Sequence, residues 1–338
     1  MDPLERPADC DRFLIVVNPD SPLSVKAQLK IRSLLVAYGE ERGGYGVETF
    51  STEEDRDATQ EKLIRDLQPR DLLVVSTGDG GLNMAAETLV KYPELREDGR
   101  NKTPILPIQG GYINLGRQQL MPGILDKSYL VEQALNHGSI IEVNPLEITL
   151  TSDGEAERRF IEVLCAGFGL TGGTIYHLEN DARKSFREKN ILTRELAGGI
   201  ATVRAFMTVE PFTVERQEDG KVRSDSVREL SITNSERVGR FRFPIKLTDP
   251  EFLTTMVPEK RSQAGIALGR LLVRRPVVER VKGFDSYSVT LRTANGTKIK
   301  MQIGGESNEV SSGTNATVRR LQETVRFVSI NPELQNVS

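Results

Sequence analysis

The sequence has few of the residues that most often form disulfides or bind metals. Its 338 residues include two cysteines and two histidines. Cys10 and Cys165 give neither a disulfide framework nor a zinc-site spacing, so we expect two reduced thiols. His137 lies in the turn-like stretch NHGS and His177 follows a tyrosine on a predicted helix. Neither has acidic or cysteine neighbours at metal-ligand spacing, and a Ser-His-Asp hydrolase is disfavoured.

Long apolar runs and a large net charge are also absent. No apolar run approaches the roughly 20 residues that span a bilayer, and the charged N-terminus MDPLERPADCDR lacks the apolar region of a signal peptide. The net charge of −3 argues against a general nucleic-acid-binding surface. We therefore expect a cytoplasmic protein without a transmembrane segment or a nucleic-acid partner. The length predicts two domains.

Strand-like and helix-like segments alternate from residue 13 to about residue 136. The predicted strands are 13–17, 47–50, 72–75 and 104–108, and the predicted helices are 24–38, 58–67 and 82–90. This alternation is typical of a parallel sheet covered by helices. Residues 1–138 are therefore expected to form a Rossmann-like α/β domain.

The pattern changes after residue 138. Alternating apolar and polar residues predict β-strands, among them 212–218, 227–233, 287–293, 297–303 and 325–329. Helices are predicted at 175–188 and about 193–207. A turn signal, NGT at 295–297, predicts a hairpin between two of the strands. Residues 139–338 are therefore expected to form a β-sandwich domain with inserted helices, and the last strand is left open to return to the first domain.

The stretch STGDGG (76–81) joins a predicted buried strand to a predicted helix. Free backbone N–H groups at such a junction, together with the helix dipole, favour a phosphate. Glycine allows the backbone to approach a ligand closely. An aspartate in this place repels phosphate unless it holds Mg²⁺ or accepts a proton from an attacking hydroxyl. The alternative is a tight turn in which Asp79 caps the helix.

A second glycine cluster, QGGYINLG (109–116), follows the next predicted strand. Two glycine-rich turns after neighbouring parallel strands face the same crevice, which is where open α/β sheets bind ligands. A third cluster, IGGES (303–307), ends a late strand and by itself favours a hairpin or bulge.

The order of these motifs resembles the diacylglycerol kinase catalytic-domain family, which includes sphingosine, ceramide and bacterial lipid kinases. VVNP (16–19) matches the family's opening V-N-P, and TGDGGLNM (77–84) is similar to its hallmark G-G-D-G-T-L-N-E. PIQGGYINLGR (107–117) corresponds to P-L-G-T-G-N-D-F-A-R, and VLCAGFGLTG (163–172) to L-N-V-A-G-I-G-F-D-A. GGE (304–306) corresponds to the late D-G-E motif.

The resemblance implies a lipid kinase that uses ATP and Mg²⁺ at a membrane surface. It implies that Asp79 holds Mg²⁺ or organises the acceptor, and that Glu306 is a base or metal partner. The implied nucleotide-binding residues are Asn18, Gly78, Gly80, Gly81, Asn83, Gly110, Gly111, Asn114 and Arg117. Arg117 neutralises phosphate charge in this hypothesis, although a surface role is equally open. A homodimer through an exposed sheet edge is left open as well.

Several positions depart from the family pattern. Gly81 replaces the hallmark threonine, Met84 replaces a glutamate, and Gly304 replaces the aspartate that is the family's candidate general base. Strand alternation would place residue 306 on the same face as residue 304, roughly 6.6 Å away, so Glu306 is a candidate substitute. Loss of a general base costs about 10²–10⁴-fold, so the departures do not require inactivity.

Three other interpretations follow from the motifs. The departures allow a catalytically impaired relative that binds nucleotide or lipid. The G-D-G and INLGR (113–117) stretches are similar to NAD kinase, but the V-N-P opening and the proline in ILPI favour lipid kinases. GFGLTG (167–172) fits the G-x-G-x-x-G dinucleotide pattern, yet no convincing βαβ unit follows it.

One basic and apolar segment has two interpretations. GIALGRLLVRRPVVERVKG (265–283) mixes aliphatic residues with arginines and lysine. Such a segment can lie on an anionic membrane surface. The alternative, which we favour from the sequence, is an amphipathic helix that packs on the sheet and exposes a solvated basic face.

Overall fold

The computed structural model describes most of the chain as two compact units. The described residues are 5–18, 22–41, 43–44, 46–51, 56–97, 99–109, 115–122, 127–185, 191–218, 220–238, 241–273, 277–282 and 285–335. The first unit combines Met1–Pro145 with Glu323–Ser338, and the second is Leu146–Gln322.

The first unit is built on a mostly parallel sheet. Its strands are β1 (Arg12–Val17), β2 (Val47–Ser51), β3 (Asp71–Thr77), β4 (Ile105–Gln109), β5 (Ser139–Val143) and β19 (Val325–Ser329). They lie in the order β2-β1-β3-β4-β19-β5, and only the β19–β5 pair is antiparallel. β3 is buried along its whole length, as expected for a parallel strand covered on both faces.

Helices connect these strands. Those of the first unit are α1 (Pro22–Glu40), α2 (Arg56–Asp66), α3 (Asp79–Lys91), α4 (Glu94–Glu97), α5 (Leu115–Leu120), α6 (Lys127–His137) and α10 (Pro332–Gln335). Those of the second unit are α7 (Leu170–Ser185), α8 (Ile191–Thr208) and α9 (Arg261–Leu272).

The second unit is built on a large antiparallel sheet. Its strands are β6 (Leu146–Thr151), β7 (Arg158–Glu162), β8 (Cys165–Gly169), β9 (Phe212–Glu218), β10 (Lys221–Thr233), β13 (Glu251–Pro258), β14 (Glu279–Lys282), β15 (Ser286–Arg292), β16 (Ile299–Ile303), β17 (Glu306–Val310) and β18 (Thr314–Arg320). A short ribbon pairs β11 (Arg237–Val238) with β12 (Phe241–Arg242). The alternating burial of β6 and β18 places one face of the sheet on a core that includes Phe168, Phe212 and Phe252.

The predicted fold class is confirmed, because a parallel α/β unit is combined with a β-rich unit that carries inserted helices. Two local predictions are wrong. The turn at Gly296 does not form a hairpin, because β15 pairs with β9 and β18 while β16 pairs with β8 and β17. Residues 265–283 are not one helix, because α9 ends at Leu272 and the strand β14 begins at Glu279.

Candidate functional site

The candidate site begins where β1, β3 and β4 end. Val17 is paired in register with Ser76, and Thr77 with Gln109, so the three carboxyl ends lie side by side. β2, the next strand in the chain, pairs with one edge of β1, and β3 pairs with the other edge. This reversal is a topological switch point, the usual ligand site of open α/β sheets. Asn18 and the GDGG stretch follow directly after these two strand ends.

The GDGG stretch forms the start of α3. Gly78 precedes the helix in an extended conformation, with φ −80° and ψ −171°, and makes no side-chain cap. Asp79 is the first helical residue, so it is not the capping residue that the alternative interpretation required. The N–H groups of the first helical turn have no acceptor within the helix. Together with the positive end of the helix dipole, they form a site suited to an anion.

Two predicted site residues share one face of α3. Asp79 and Asn83 are four residues apart, and both side chains are buried. Glu87 continues the same face and accepts a hydrogen bond of 2.5 Å from Arg56. A carboxylate in the first helical turn is favoured by the dipole and is the ligand type that Mg²⁺ prefers. The face therefore presents one carboxylate and one amide near the strand ends.

Thr77 occupies the space beside Gly81. A Cβ atom added to Gly81 would lie 2.1 Å from Thr77 Oγ1 and 2.7 Å from its Cβ. The Thr77 hydroxyl donates a hydrogen bond of 2.9 Å to the carbonyl oxygen of Gly78. The hydroxyl expected at position 81 is therefore absent because a threonine two residues before Asp79 fills that volume. The sequence showed that the threonine expected at position 81 is missing. The stretch TGDGG (77–81) also shows a threonine at position 77, where the family has glycine, but its role as a replacement was missed.

Arg117 is a buried cation on α5, a helix that contacts α3 and β4. Its side chain is only 9% exposed, and burial lowers its pKa below the ordinary value. This burial excludes the surface role that the sequence left open. Among the described residues, its Nε has no hydrogen-bond partner. A buried guanidinium needs an acceptor, and a phosphate oxygen would supply one.

Three predicted nucleotide-binding residues, Gly110, Gly111 and Asn114, lie outside the described residues. The remaining predicted residue, Glu306, lies in the second unit and starts β17. It pairs across the strands with Ile303. Gly304 and Gly305 have φ of +63° and +75° and form the two-residue turn between β16 and β17. Residues 304 and 306 therefore do not share a strand face, and the predicted alternation is wrong because the glycines turn the chain.

A buried glutamate holds that turn. Glu162, 1% exposed, accepts hydrogen bonds from the N–H groups of Gly304 at 2.6 Å and Leu164 at 2.9 Å. These two hydrogen bonds fix the backbone at Gly304 and at Leu164 relative to each other. Sequence reasoning missed Glu162. Its signal was an acid within the apolar run FIEVL (160–164).

A second buried glutamate explains the GFGLTG pattern. Glu229 accepts hydrogen bonds from the N–H and hydroxyl of Thr171 in the first turn of α7, and from the Ser231 hydroxyl at 2.7 Å. Burial raises its pKa to about 7. A Cβ on Gly167 would lie 2.7 Å from Glu229 Oε1, and one on Gly172 would lie 2.4 Å from the Met301 backbone. The glycines therefore serve internal packing, and an internal carboxylate fills the place that a dinucleotide phosphate would take.

Within the described ranges, no group of three or more histidine, cysteine or acidic residues is arranged to hold a metal ion. A Mg²⁺ ion commonly takes only one or two protein carboxylates and completes its shell with substrate phosphates. Asp79 therefore fits a cation that arrives with a nucleotide.

Within the part of the chain that the structure describes, no helix has the length and apolar character needed to cross a bilayer.

Comparison with known proteins gives structural matches alone. No protein-family model and no curated protein matches the chain. A provisionally assigned diacylglycerol kinase from Bacillus anthracis str. Sterne has a TM-score of 0.65 at 18% identity, covering 96% of this chain and 99% of that one. A diacylglycerol kinase structure from the same strain has a TM-score of 0.60 at 15% identity, with the same coverage.

A third solved structure extends the comparison. Yeast NADH kinase complexed with NADH has a TM-score of 0.52 at 11% identity, covering 96% of this chain and 84% of that one. At these identities the likeness concerns the fold, so the chain has a kinase-like fold.

Proposed function

We propose that this protein is a kinase that transfers the γ-phosphate of ATP to a lipid hydroxyl, with diacylglycerol or a related lipid as acceptor. The observation that carries the proposal is the position of GDGG, which starts α3 at the switch point between β1 and β3. The motif resemblance and the solved structures named as diacylglycerol kinases support the lipid acceptor.

The proposed site residues of the first unit have two roles: some bind the phosphate groups, and others orient the nucleotide. The backbone N–H groups at the start of α3 bind phosphate oxygens, and Arg117 neutralises their charge. Asn18 and Asn83 orient the nucleotide. The full proposed set is Asn18, Gly78, Gly80, Gly81, Asn83, Gly110, Gly111, Asn114 and Arg117.

Asp79 is the proposed catalytic residue. Mg²⁺ bound with ATP would neutralise the charge of the transferring phosphate. Asp79 holds this cation or accepts the proton of the acceptor hydroxyl. Glu306 is the proposed second base or metal partner, because Gly304 lacks the carboxylate that the family's aspartate supplies at this position. Phosphoryl transfer depends mainly on positioning and charge neutralisation, so it tolerates an incomplete set of bases.

Two observations support other candidate functions. The likeness to yeast NADH kinase favours a nicotinamide dinucleotide as acceptor. The substitutions Gly304 and Met84 favour a relative that binds nucleotide or lipid without transfer; Met84 is buried in α3 and offers no carboxylate.

An acceptor competition separates these functions. The purified chain is incubated with Mg²⁺ and ATP labelled at the γ-phosphate, together with a mixed lipid extract, NAD or NADH. Label in a lipid product is the expected result. Label in the dinucleotide alone would transfer the assignment to the NAD-kinase class, and nucleotide binding without any labelled product would favour the inactive relative.

A further inference from the structure

Helix α8 exposes aliphatic side chains where a surface helix ordinarily exposes polar ones. Ala201 and Ala205 are buried, whereas Ile200, Val203 and Met207 point to solvent at helical spacing, with Val203 64% exposed. Arg204 is exposed beside them. The inward side of α8 carries Ala201, Ala205 and the half-buried Phe206, so the helix packs on the unit without its exposed aliphatic side chains.

Helix α9 repeats this arrangement. Ala264 is buried, whereas Ile266, 60% exposed, and Val273 lie on the outward side, and Val277 follows the helix. Arg270 is exposed between Ile266 and Val273. A groove of about 340 Å³ lies between α9 and β13, and Ile266, Arg270 and Val277 contribute to its lining.

The two outward faces belong to one region of the second unit. Phe206 of α8 packs against the same small cluster as Ala267 and Leu268 of α9. The C-terminal end of α8 and the middle of α9 therefore meet at that cluster. We call their combined exposed surface the α8–α9 patch, which consists of Ile200, Val203, Met207, Ile266, Val273 and Val277 with Arg204 and Arg270.

The charge of this region is opposite to that of the whole chain. Residues 260–273 carry three basic residues, Lys260, Arg261 and Arg270, and no acidic residue, in a chain of net charge −3. Clustered arginines beside exposed aliphatic residues are the combination that binds an anionic bilayer surface. A single-stranded nucleic acid is typically bound on aromatic stacking platforms, which the patch does not include, and the net charge of −3 disfavours a duplex-binding surface. A second copy in a two-fold dimer would place the patch against itself and its arginines against one another.

We propose that the α8–α9 patch docks the protein on the surface of an anionic lipid bilayer. The aliphatic side chains insert at the headgroup boundary, and the arginines contact anionic headgroups. The inference deepens the proposed function, since a kinase of a lipid must reach its acceptor at a membrane. Vesicle binding can nevertheless be measured without any phosphoryl transfer, so the two proposals fail independently.

Sedimentation with vesicles tests the proposal on the full chain. We expect binding to phosphatidylcholine–phosphatidylglycerol vesicles and little binding to phosphatidylcholine alone. Arg270→Glu should weaken binding by about fivefold or more, since one basic residue contributes roughly that factor at such a surface. Val203→Asp should weaken it similarly. Val222→Asp on β10, where the valine is 67% exposed outside the patch, is the matched control and should bind as the wild type does.

The possible outcomes separate clearly. No binding of the wild type to anionic vesicles, or equal losses in Val203→Asp and Val222→Asp, would overturn the proposal. A dimer by light scattering that Val203→Asp converts to a monomer would assign the patch to a second copy instead. Met207→Asp repeats the test if Val203→Asp does not fold. Phosphate transfer to a water-soluble short-chain diacylglycerol should stay unchanged in the patch variants, and its absence in the wild type would count against the kinase proposal alone.

Discussion

The packing of Thr77 against Gly81 gives a quantitative prediction about the candidate site. A threonine at position 81 would place its Cβ 2.1 Å from Thr77 Oγ1, far inside any real contact distance. Overpacking of this kind costs roughly 1–3 kcal/mol. We therefore expect Gly81→Thr to lower the free energy of unfolding by that amount.

The exchanged pair should relieve the clash. In Thr77→Gly/Gly81→Thr the offending side chain is gone, and the hydroxyl moves to the position that the lipid-kinase resemblance assigns to it. The double variant should be more stable than the sum of the single changes predicts, with a coupling of about 1–3 kcal/mol. It should also keep nucleotide binding, because a hydroxyl remains beside the start of α3.

Urea unfolding of the wild type, both single variants and the double variant measures this coupling. Gly265→Thr on α9 is a control, because an added Cβ there meets nothing within 4 Å. Gly265→Thr should leave the free energy of unfolding unchanged or raise it slightly, since glycine is a poor helix former. Strictly additive effects, or a Gly81→Thr variant as stable as the wild type, would refute the packing argument.

Three further predictions concern buried charges and the late turn. The raised pKa of Glu229 means that the folded state keeps its proton where the unfolded state loses it. The free energy of unfolding should therefore fall between about pH 4.5 and about pH 7 and stay level above that. The fall should be about 3 kcal/mol, since each pH unit is worth 1.36 kcal/mol. Urea titrations at several pH values should show this fall in the wild type and not in Glu229→Gln. Arg117→Met should weaken ATP binding, measured by calorimetry, by about 10–100-fold, because it removes a charge-assisted contact worth roughly 1.5–3 kcal/mol. The variant should unfold at the same urea concentration as the wild type. Unchanged ATP binding would remove Arg117 from the site. Gly304→Ala should lower the free energy of unfolding by about 1–2 kcal/mol, because the backbone of Gly304 has φ +63°. Gly304→Asp should lower it less, because aspartate tolerates this conformation. Gly304→Asp should also raise the rate of phosphate transfer.

The parallel half of the fold could be predicted because local signals and tertiary packing agree there. β1 and β3 are apolar runs bounded by turn residues, and the apolar spacing of α3 follows a glycine-rich junction. The second half is harder because its antiparallel pairing joins distant strands. Asn295 and Gly296 form a good turn, yet the pairing edges of β15 and β16 are filled by other strands.

The site was predictable only where one short motif carries it. The GDGG junction predicts the start of α3, because it follows an apolar run and precedes apolar residues at helical spacing. The roles of Glu162 and Glu229 could not be assigned, because each also accepts a hydrogen bond from a backbone N–H group far away in the sequence, that of Gly304 and that of Thr171 respectively. The exchange between positions 77 and 81 could be recognised only from the three-dimensional contact between the last residue of β3 and the first turn of α3.

The central claim is that Asp79 performs the phosphoryl transfer at the start of α3. The most direct test is the rate of γ-phosphate transfer from Mg-ATP to the lipid acceptor in the wild type and Asp79→Asn, with ATP binding measured in parallel. We predict a loss of turnover of about 10²-fold or more with nucleotide affinity changed far less, because the amide can neither accept a proton nor neutralise a cation. Equal turnover in the two proteins would contradict the account.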